Sequence, residues 1–284
     1  MSKWSMKTII AAILLLNANL VASEPYPDKP LTDFIKQSIR KADGVVLKDV
    51  SVASKSSPKI LGDWEAVIMR LDFNIKGEDQ TRYEVIFRKD SLISFDVMDV
   101  RTKRSIKSMF SPPLDISHYK KDRIIAGDTS GKAKHKIVVF SDPLCPFCLD
   151  LVPDIIKLTQ KHPKDISLYF YHFPIASIHP SSPLIIKAAL ALEMQGYKNV
   201  VSKLYAADFD HKVTDPQAVL KAFNDYFGST VTLGDLEDPK VLAHYKEDSD
   251  IAAKLMISGT PSVFIDGEKD IDHSRLETIK KTLK

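Results

Sequence analysis

Only two cysteines occur in the 284 residues, and both lie in one motif, Cys145-Pro146-Phe147-Cys148. This pairing constrains the chain more than any other feature. Closing a four-residue loop stabilises a fold by only about 2 kcal/mol in the chain-entropy account, so a structural staple would be expected to join distant segments instead. A zinc site needs four ligands, and neither a second C-x-x-C nor a paired His motif accompanies the cysteines. Set against a structural disulfide and a metal site, the pair reads as a redox dithiol with no metal or organic cofactor.

The N-terminus sets the expected compartment. Residues 1–23 carry Lys3 and Lys7, an apolar run Ile9–Leu16 and the small-residue ending Val21-Ala22-Ser23 before Glu24. That is the pattern of a cleaved signal peptide, with an uncleaved anchor as the alternative. The run is shorter than the ~20 apolar residues of a bilayer span. The expectation is a soluble protein in an oxidising extracytoplasmic space, where disulfides persist. Without residues 1–23, 38 basic residues face 37 acidic ones, which gives no reason to expect a nucleic-acid partner. The basic clusters Arg101–Arg104 and Lys132–Lys136 are short and interrupted and read as solvated turns.

About 260 residues after cleavage imply two domains. Leu31–Ala42 places Leu31, Phe34, Ile35 and Ile39 at helical spacing. Ala66–Ile75, Tyr83–Arg88 and Leu92–Val100 read as three strands of an antiparallel meander, separated by Lys76-Gly77-Glu78-Asp79 and Lys89-Asp90-Ser91. Residues 24–108 thus form a small α+β domain, and residues 109–121, with Pro112-Pro113, form a linker. Trp64 reads as a packing residue.

Residues 122–284 carry the chemistry. Ile137–Ser141 is a short apolar strand, Cys145 opens a helix to about Lys161, and Ile166–Phe173 is a second strand. A C-x-x-C inside such a strand–helix–strand unit has the thioredoxin-like setting. Pro146 suits the first helical turn, and Pro153 is expected to bend the helix. Cys145, at the helix N-terminus, meets unpaired N–H groups and the positive end of the helix dipole; its sulfur is expected to face solvent as the nucleophile. Cys148, one turn inward, is the expected resolving thiol. Further along, Ile257–Gly267 reads as loop, strand and turn, with Thr260-Pro261 ahead of the strand residues Val263-Phe264-Ile265, a place where the cis isomer is considered, although only about 5% of X-Pro bonds adopt it.

Taken together, Cys145-Pro146-Phe147-Cys148, Pro153 and Thr260-Pro261 resemble the thioredoxin superfamily. Phe140-Ser141-Asp142-Pro143-Leu144-Cys145 is similar to the approach to the active site in the periplasmic DsbC/DsbG disulfide isomerases. Leu92–Ile106 resembles the last strand of their N-terminal dimerisation domain. The resemblance implies a cystatin-like N-terminal dimerisation domain and a thioredoxin-fold catalytic domain with a helical insertion at about 183–255. It further implies a V-shaped homodimer whose cleft binds misoxidised secreted proteins, with a membrane thioredoxin-like reductase as electron donor. Cys145 and Cys148 would be catalytic, and Pro146, Phe147, Thr260 and Pro261 would contact substrate. Pro146-Phe147 departs from the Gly-Tyr of DsbC and is closest to the Pro-Tyr of DsbG. The insertion, with helices at Pro183–Tyr197, Asn199–Ala207, Gln217–Phe227 and Asp238–Met256, also resembles DsbA-type oxidases. The implied activity is disulfide isomerase or reductase, with a dithiol oxidase and a holdase chaperone as alternatives.

Four further side chains attract attention. His172 and His179 read as loop or edge residues. Asp142 either stabilises the turn before Cys145 or takes part in proton transfer to the dithiol. Phe147 either contacts unfolded chains from the surface or covers the disulfide.

Overall fold

The computed structural model describes residues 26–39, 43–57 and 59–283. The expected signal segment, residues 1–23, lies outside them. Helix α1 (Asp28–Ser38) begins one turn earlier than its apolar spacing suggests, with Pro30 tolerated in the first turn. Residues 40–42 of the expected helix lie outside the described chain. Next come β1 (Val45–Ser56), β2 (Glu65–Ile75), β3 (Glu78–Lys89) and β4 (Leu92–Ser94), a four-stranded antiparallel sheet in sequence order.

The three-strand meander therefore needs two corrections. β1, with Lys48, Asp49, Ser51 and Ser54 among its apolar residues, gives a weak alternation that two register irregularities against β2 blur further. The expected strand Leu92–Val100 breaks after Ser94, where Asp96 takes the Val97 N–H and its carbonyl takes the Ser94 hydroxyl. Its remainder pairs as β5 (Met98–Asp99) with β6 (Arg104–Ser105). The β2–β3 turn is tighter than expected: Lys76 and Gly77 alone form it, with φ of 52° and 95°, the left-handed pair that a two-residue hairpin requires. Period-two alternation in β2 then sends Val67, Met69 and Leu71 towards Leu31 and Ile35 of α1. Ala66 and Ile68 point the other way, onto Ile106 and Phe110 of the connecting segment. Trp64 packs at the border of this second cluster.

After three short 3-10 turns the chain enters β7 (Ile124–Gly127), β8 (His135–Ser141), α2 (Pro146–Lys161) and β9 (Ile166–His172). Helices α3 (Ser182–Met194), α4 (Val200–Leu204), α5 (Pro216–Phe227) and α6 (Pro239–Lys254) follow, then β10 (Ser262–Ile265), β11 (Glu268–Lys269) and α7 (Ser274–Thr282). The sheet order is β11-β10-β8-β9-β7, with β8 and β9 parallel and the other neighbours antiparallel. β7 was not expected: four half-buried residues carry no period. Gly127 closes it at φ 84°, where a Cβ would stand 2.0 Å from the Ile166 carbonyl oxygen.

The central strands are buried on both faces. Ile137, Val139, Leu168 and Phe170 meet α2 and the helical insertion, while Val138, Phe140, Tyr169 and Tyr171 meet Ile251, Ala252 and Leu255 near the end of α6. Pro153 lies inside α2, which continues through it to Lys161. Among the described residues no helix is long and apolar enough to cross a membrane.

Candidate active site

The end of β8 delivers the dithiol. Cys145 occupies the N-cap of α2 and Pro146 its first turn, where a missing N–H leaves nothing unpaired. The Cys145 N–H donates to the Asp142 carbonyl at 3.1 Å, and its own carbonyl accepts from Cys148 N at 2.9 Å and Leu149 N at 3.0 Å. Its sulfur lies 3.5 Å from the Thr260 carbonyl oxygen. The Thr260–Pro261 peptide is cis. Two segments 115 residues apart in sequence thus meet at one sulfur.

Contrary to the sequence expectation, Cys145 is only 5% exposed. Leu144 packs beside it in the same apolar cluster and Thr260 closes the other side. Phe147, by contrast, is 74% exposed, which places its ring at the surface rather than over the sulfurs. Cys148 is fully buried, and the two thiols are unbridged. Burial pushes the Cys148 thiol up to about 12. The Ser141 hydroxyl, the backbone at Asp142 and the Thr260 side chain offset part of that rise, and the charge of Cys145 adds to it.

Behind Cys148 lies a contact that no sequence spacing announces. Tyr205, on the turn after α4, donates its hydroxyl to Ser141 Oγ at 2.6 Å, with both residues buried. Burial, then the neighbouring Cys148, keeps the phenol protonated far above its usual range. Ser141 is thereby held beside the inner thiol.

Asp142 is fully buried and accepts four donors. Oδ1 takes Leu144 N at 2.9 Å and Ser182 Oγ at 2.8 Å; Oδ2 takes Ile175 N at 2.7 Å and contacts His179 Nδ1 at 3.1 Å. This carboxylate ties the loop before Cys145 to the start of α3, which is the turn-stabilising role considered above. His179 lies in the loop between β9 and α3, as expected, but it is buried there as a member of this anchor. His172 is likewise buried, at the end of β9 beside Ser141. Its backbone N–H donates to Asp248 Oδ2 at 2.9 Å, while Nδ1 has no hydrogen-bond partner among the described residues. Burial, then repulsion from His244 and Arg123, drives its pKa down to about 3. His172, at the end of a central strand, departs from the loop or edge position expected of it and His179 does not; the burial of both left no spacing to read, because their partners lie tens of residues away, on other elements.

Among the described residues no group of three or more His, Cys, Asp or Glu side chains is placed to hold a metal ion. The sequence pattern of the DSBA-like thioredoxin domain matches residues 136–284, just over half of the chain, and the protein belongs to that family. It is a thiol-disulfide oxidoreductase. No curated protein matches the sequence.

Solved structures similar to it include ScsC of Proteus mirabilis in a transitional conformation, with 23% identity and a TM-score of 0.45 over 58% of this chain and 74% of that one. BdbD of Bacillus subtilis gives 22% and 0.44 over 61% and 97%, respectively. A periplasmic thioredoxin-like protein of Salmonella enterica serovar Typhimurium gives 24% and 0.43 over 56% and 87%. At these identities and scores none of them bears on the activity here.

Proposed function

We propose that the protein is a periplasmic disulfide isomerase or reductase for misoxidised secreted proteins, of the DsbC/DsbG type within its family. Cys145 is the nucleophile and Cys148 the resolving thiol, and no cofactor is needed beyond the dithiol. The observation that carries this reading is the pairing of an N-cap sulfur beside the Thr260 carbonyl with a fully buried second thiol one turn inward.

The Cys145 thiolate attacks one sulfur of a substrate disulfide. That S–S bond breaks, a mixed disulfide forms, and the departing substrate thiolate takes up a proton. Cys148 then loses its proton and attacks the Cys145 sulfur. The Cys145–Cys148 disulfide closes, and the second substrate thiol leaves. Two electrons have passed from the protein to the substrate, and a membrane thioredoxin-like reductase returns them. In isomerisation a substrate thiolate attacks first and expels Cys145 with no net electron transfer. A Cys148 thiol that burial holds protonated at neutral pH delays closure, and the mixed disulfide gains time to rearrange.

Access to the recessed Cys145 runs over Pro146 and the exposed ring of Phe147 on one side and past Thr260 and Pro261 on the other. Dimerisation through residues 24–108 would set two such sites across a cleft; sedimentation of the full mature chain reads this directly. The DSBA-like match favours a second reading, a dithiol oxidase. Equilibration in glutathione buffers separates the two. The isomerase reading expects a potential between the oxidant extreme near about −120 mV and the reductant extreme near about −270 mV, together with repair of scrambled ribonuclease. A value at the oxidant extreme without repair overturns it.

A further inference from the structure

A groove of about 280 Å³ runs alongside the cis-proline loop. One wall is Ser258–Val263, and the facing wall comes from the other end of the chain, through Arg104, Ser108 and Met109. That wall is fixed. Ile106 is buried against Phe110, Met109 and Met256, Lys269 Nζ donates to the Ser108 carbonyl at 3.2 Å, and the Ser111 hydroxyl bonds the Leu255 carbonyl. β11 pairs with Phe264 and Ile265, and the Asp270 N–H then donates to the Val263 carbonyl at 2.8 Å, so this pairing ends before Ser262 and the cis-proline loop. Thr260 lines the groove and its carbonyl oxygen lies 3.5 Å from the Cys145 sulfur, so one residue separates the groove from the reacting atom.

Two cations, Arg104 and Lys269, stand in the lining against one carboxylate, Asp270. Among the described residues neither Arg104 nor Lys269 forms an ion pair. The one carboxylate in the lining, Asp270, is already engaged: Oδ1 accepts from Arg275 N at 3.2 Å and Oδ2 from Leu276 N at 2.9 Å. Nearby Glu268 is paired with Arg275 at 2.7 Å. Burial lowers the pKa of Lys269, the cost of a cation without a counter-ion that an arriving carboxylate would relieve. Arg104 is the last residue of the basic turn Arg101–Arg104, and Lys103 beside it is exposed, with φ 57° at the tip. The turn is solvated, as expected, with all four residues exposed, and its last residue stands in the lining of the groove.

We propose that this groove selects substrates, seating an extended, unfolded polypeptide that carries Asp or Glu next to the cysteine attacked by Cys145. The inference rests on the oxidoreductase reading above and adds a substrate class to it. The test uses the reduced full-length mature protein and three peptides, each closed by one internal disulfide and flanked by Glu-Glu, Gln-Gln or Lys-Lys. Electrons pass from the Cys145–Cys148 dithiol to the peptide disulfide, and the second-order rate constant is measured at low ionic strength. The expected order is Glu, Gln, Lys, with a spread of about tenfold that collapses in concentrated salt. Arg104→Glu, at an exposed site, should flatten or invert the order, and Lys269→Gln should weaken it. Equal rates for the three peptides, or an order that Arg104→Glu leaves untouched, overturn the inference while the oxidoreductase reading stands. Failure of all three peptides to react overturns both.

Discussion

Replacing Asp142 with Ala removes the acceptor for four donors, three of them on buried residues and one, the Ile175 N–H, half-buried, and the geometry states which of them have somewhere else to go. Ser182 Oγ can rotate, and the His179 ring can change tautomer. The Leu144 and Ile175 N–H groups belong to the backbone and cannot relocate. Hydrogen bonds to a charged acceptor contribute about 1.5–3 kcal/mol each, so two stranded amides should cost about 4 kcal/mol. For a chain of this size that corresponds to a drop in Tm of about 10 °C. Asp142→Asn discriminates further. Its carbonyl oxygen can keep Leu144 and Ser182, and a flipped His179 can accept from the new amide. Only Ile175 then faces a donor, at about 2 kcal/mol. Urea denaturation followed by far-UV circular dichroism gives both values. A loss below about 1 kcal/mol for the Ala variant, or an Asn variant as damaged as the Ala variant, would refute the account of Asp142 as an anchor between the Cys145 loop and α3.

The inner thiol offers a kinetic check. In a Cys145→Ser variant, which removes the charge of Cys145 but keeps the burial that is the main cause of the raised pKa, Cys148 should react with iodoacetamide at pH 8 more slowly than a free thiol by a factor on the order of a hundred or more; a rate within tenfold of free cysteine contradicts this. His172 predicts a pH dependence. Its pKa is about 3 in the fold against about 6.5 when unfolded, so only the unfolded chain takes up this proton between those values. The resulting stability is complete above pH 6.5 and is lost as pH falls towards 3. Between pH 7 and pH 5 the parent should lose about 2 kcal/mol relative to His172→Gln, and parallel denaturation curves at the two pH values would expose the error. Arg123 donates to Asp248 at 3.0 Å and Glu247 at 2.8 Å, and Asp248 is fully buried. Arg123→Met should therefore cost about 3–5 kcal/mol by stranding that carboxylate, and a loss under 1 kcal/mol in thermal unfolding would count against it.

The sequence alone determined the dithiol, the helix that Cys145 opens, the strands on either side of it and the Thr260-Pro261 turn. Each is written in local terms: a cysteine spacing, a proline at a first turn, an apolar run of strand length. β1 and β7 escaped detection because edge strands carry mixed or half-buried side chains, and their hydrophobic period is weak. The tertiary structure decided everything that depends on distance in space. It recessed Cys145 under Thr260 and Leu144, where the helix start alone had suggested an open sulfur. Only the tertiary fold brings His179, in the loop before α3, to Asp142, and Tyr205, after α4, to Ser141 at the end of β8. Only the seating of Ile106 and Met109 against Met256 sets a basic turn beside the cis-proline loop. A hydrogen bond is fixed within about 3 Å in space yet is indifferent to separation along the chain, and so the anchors of this site left no spacing to read.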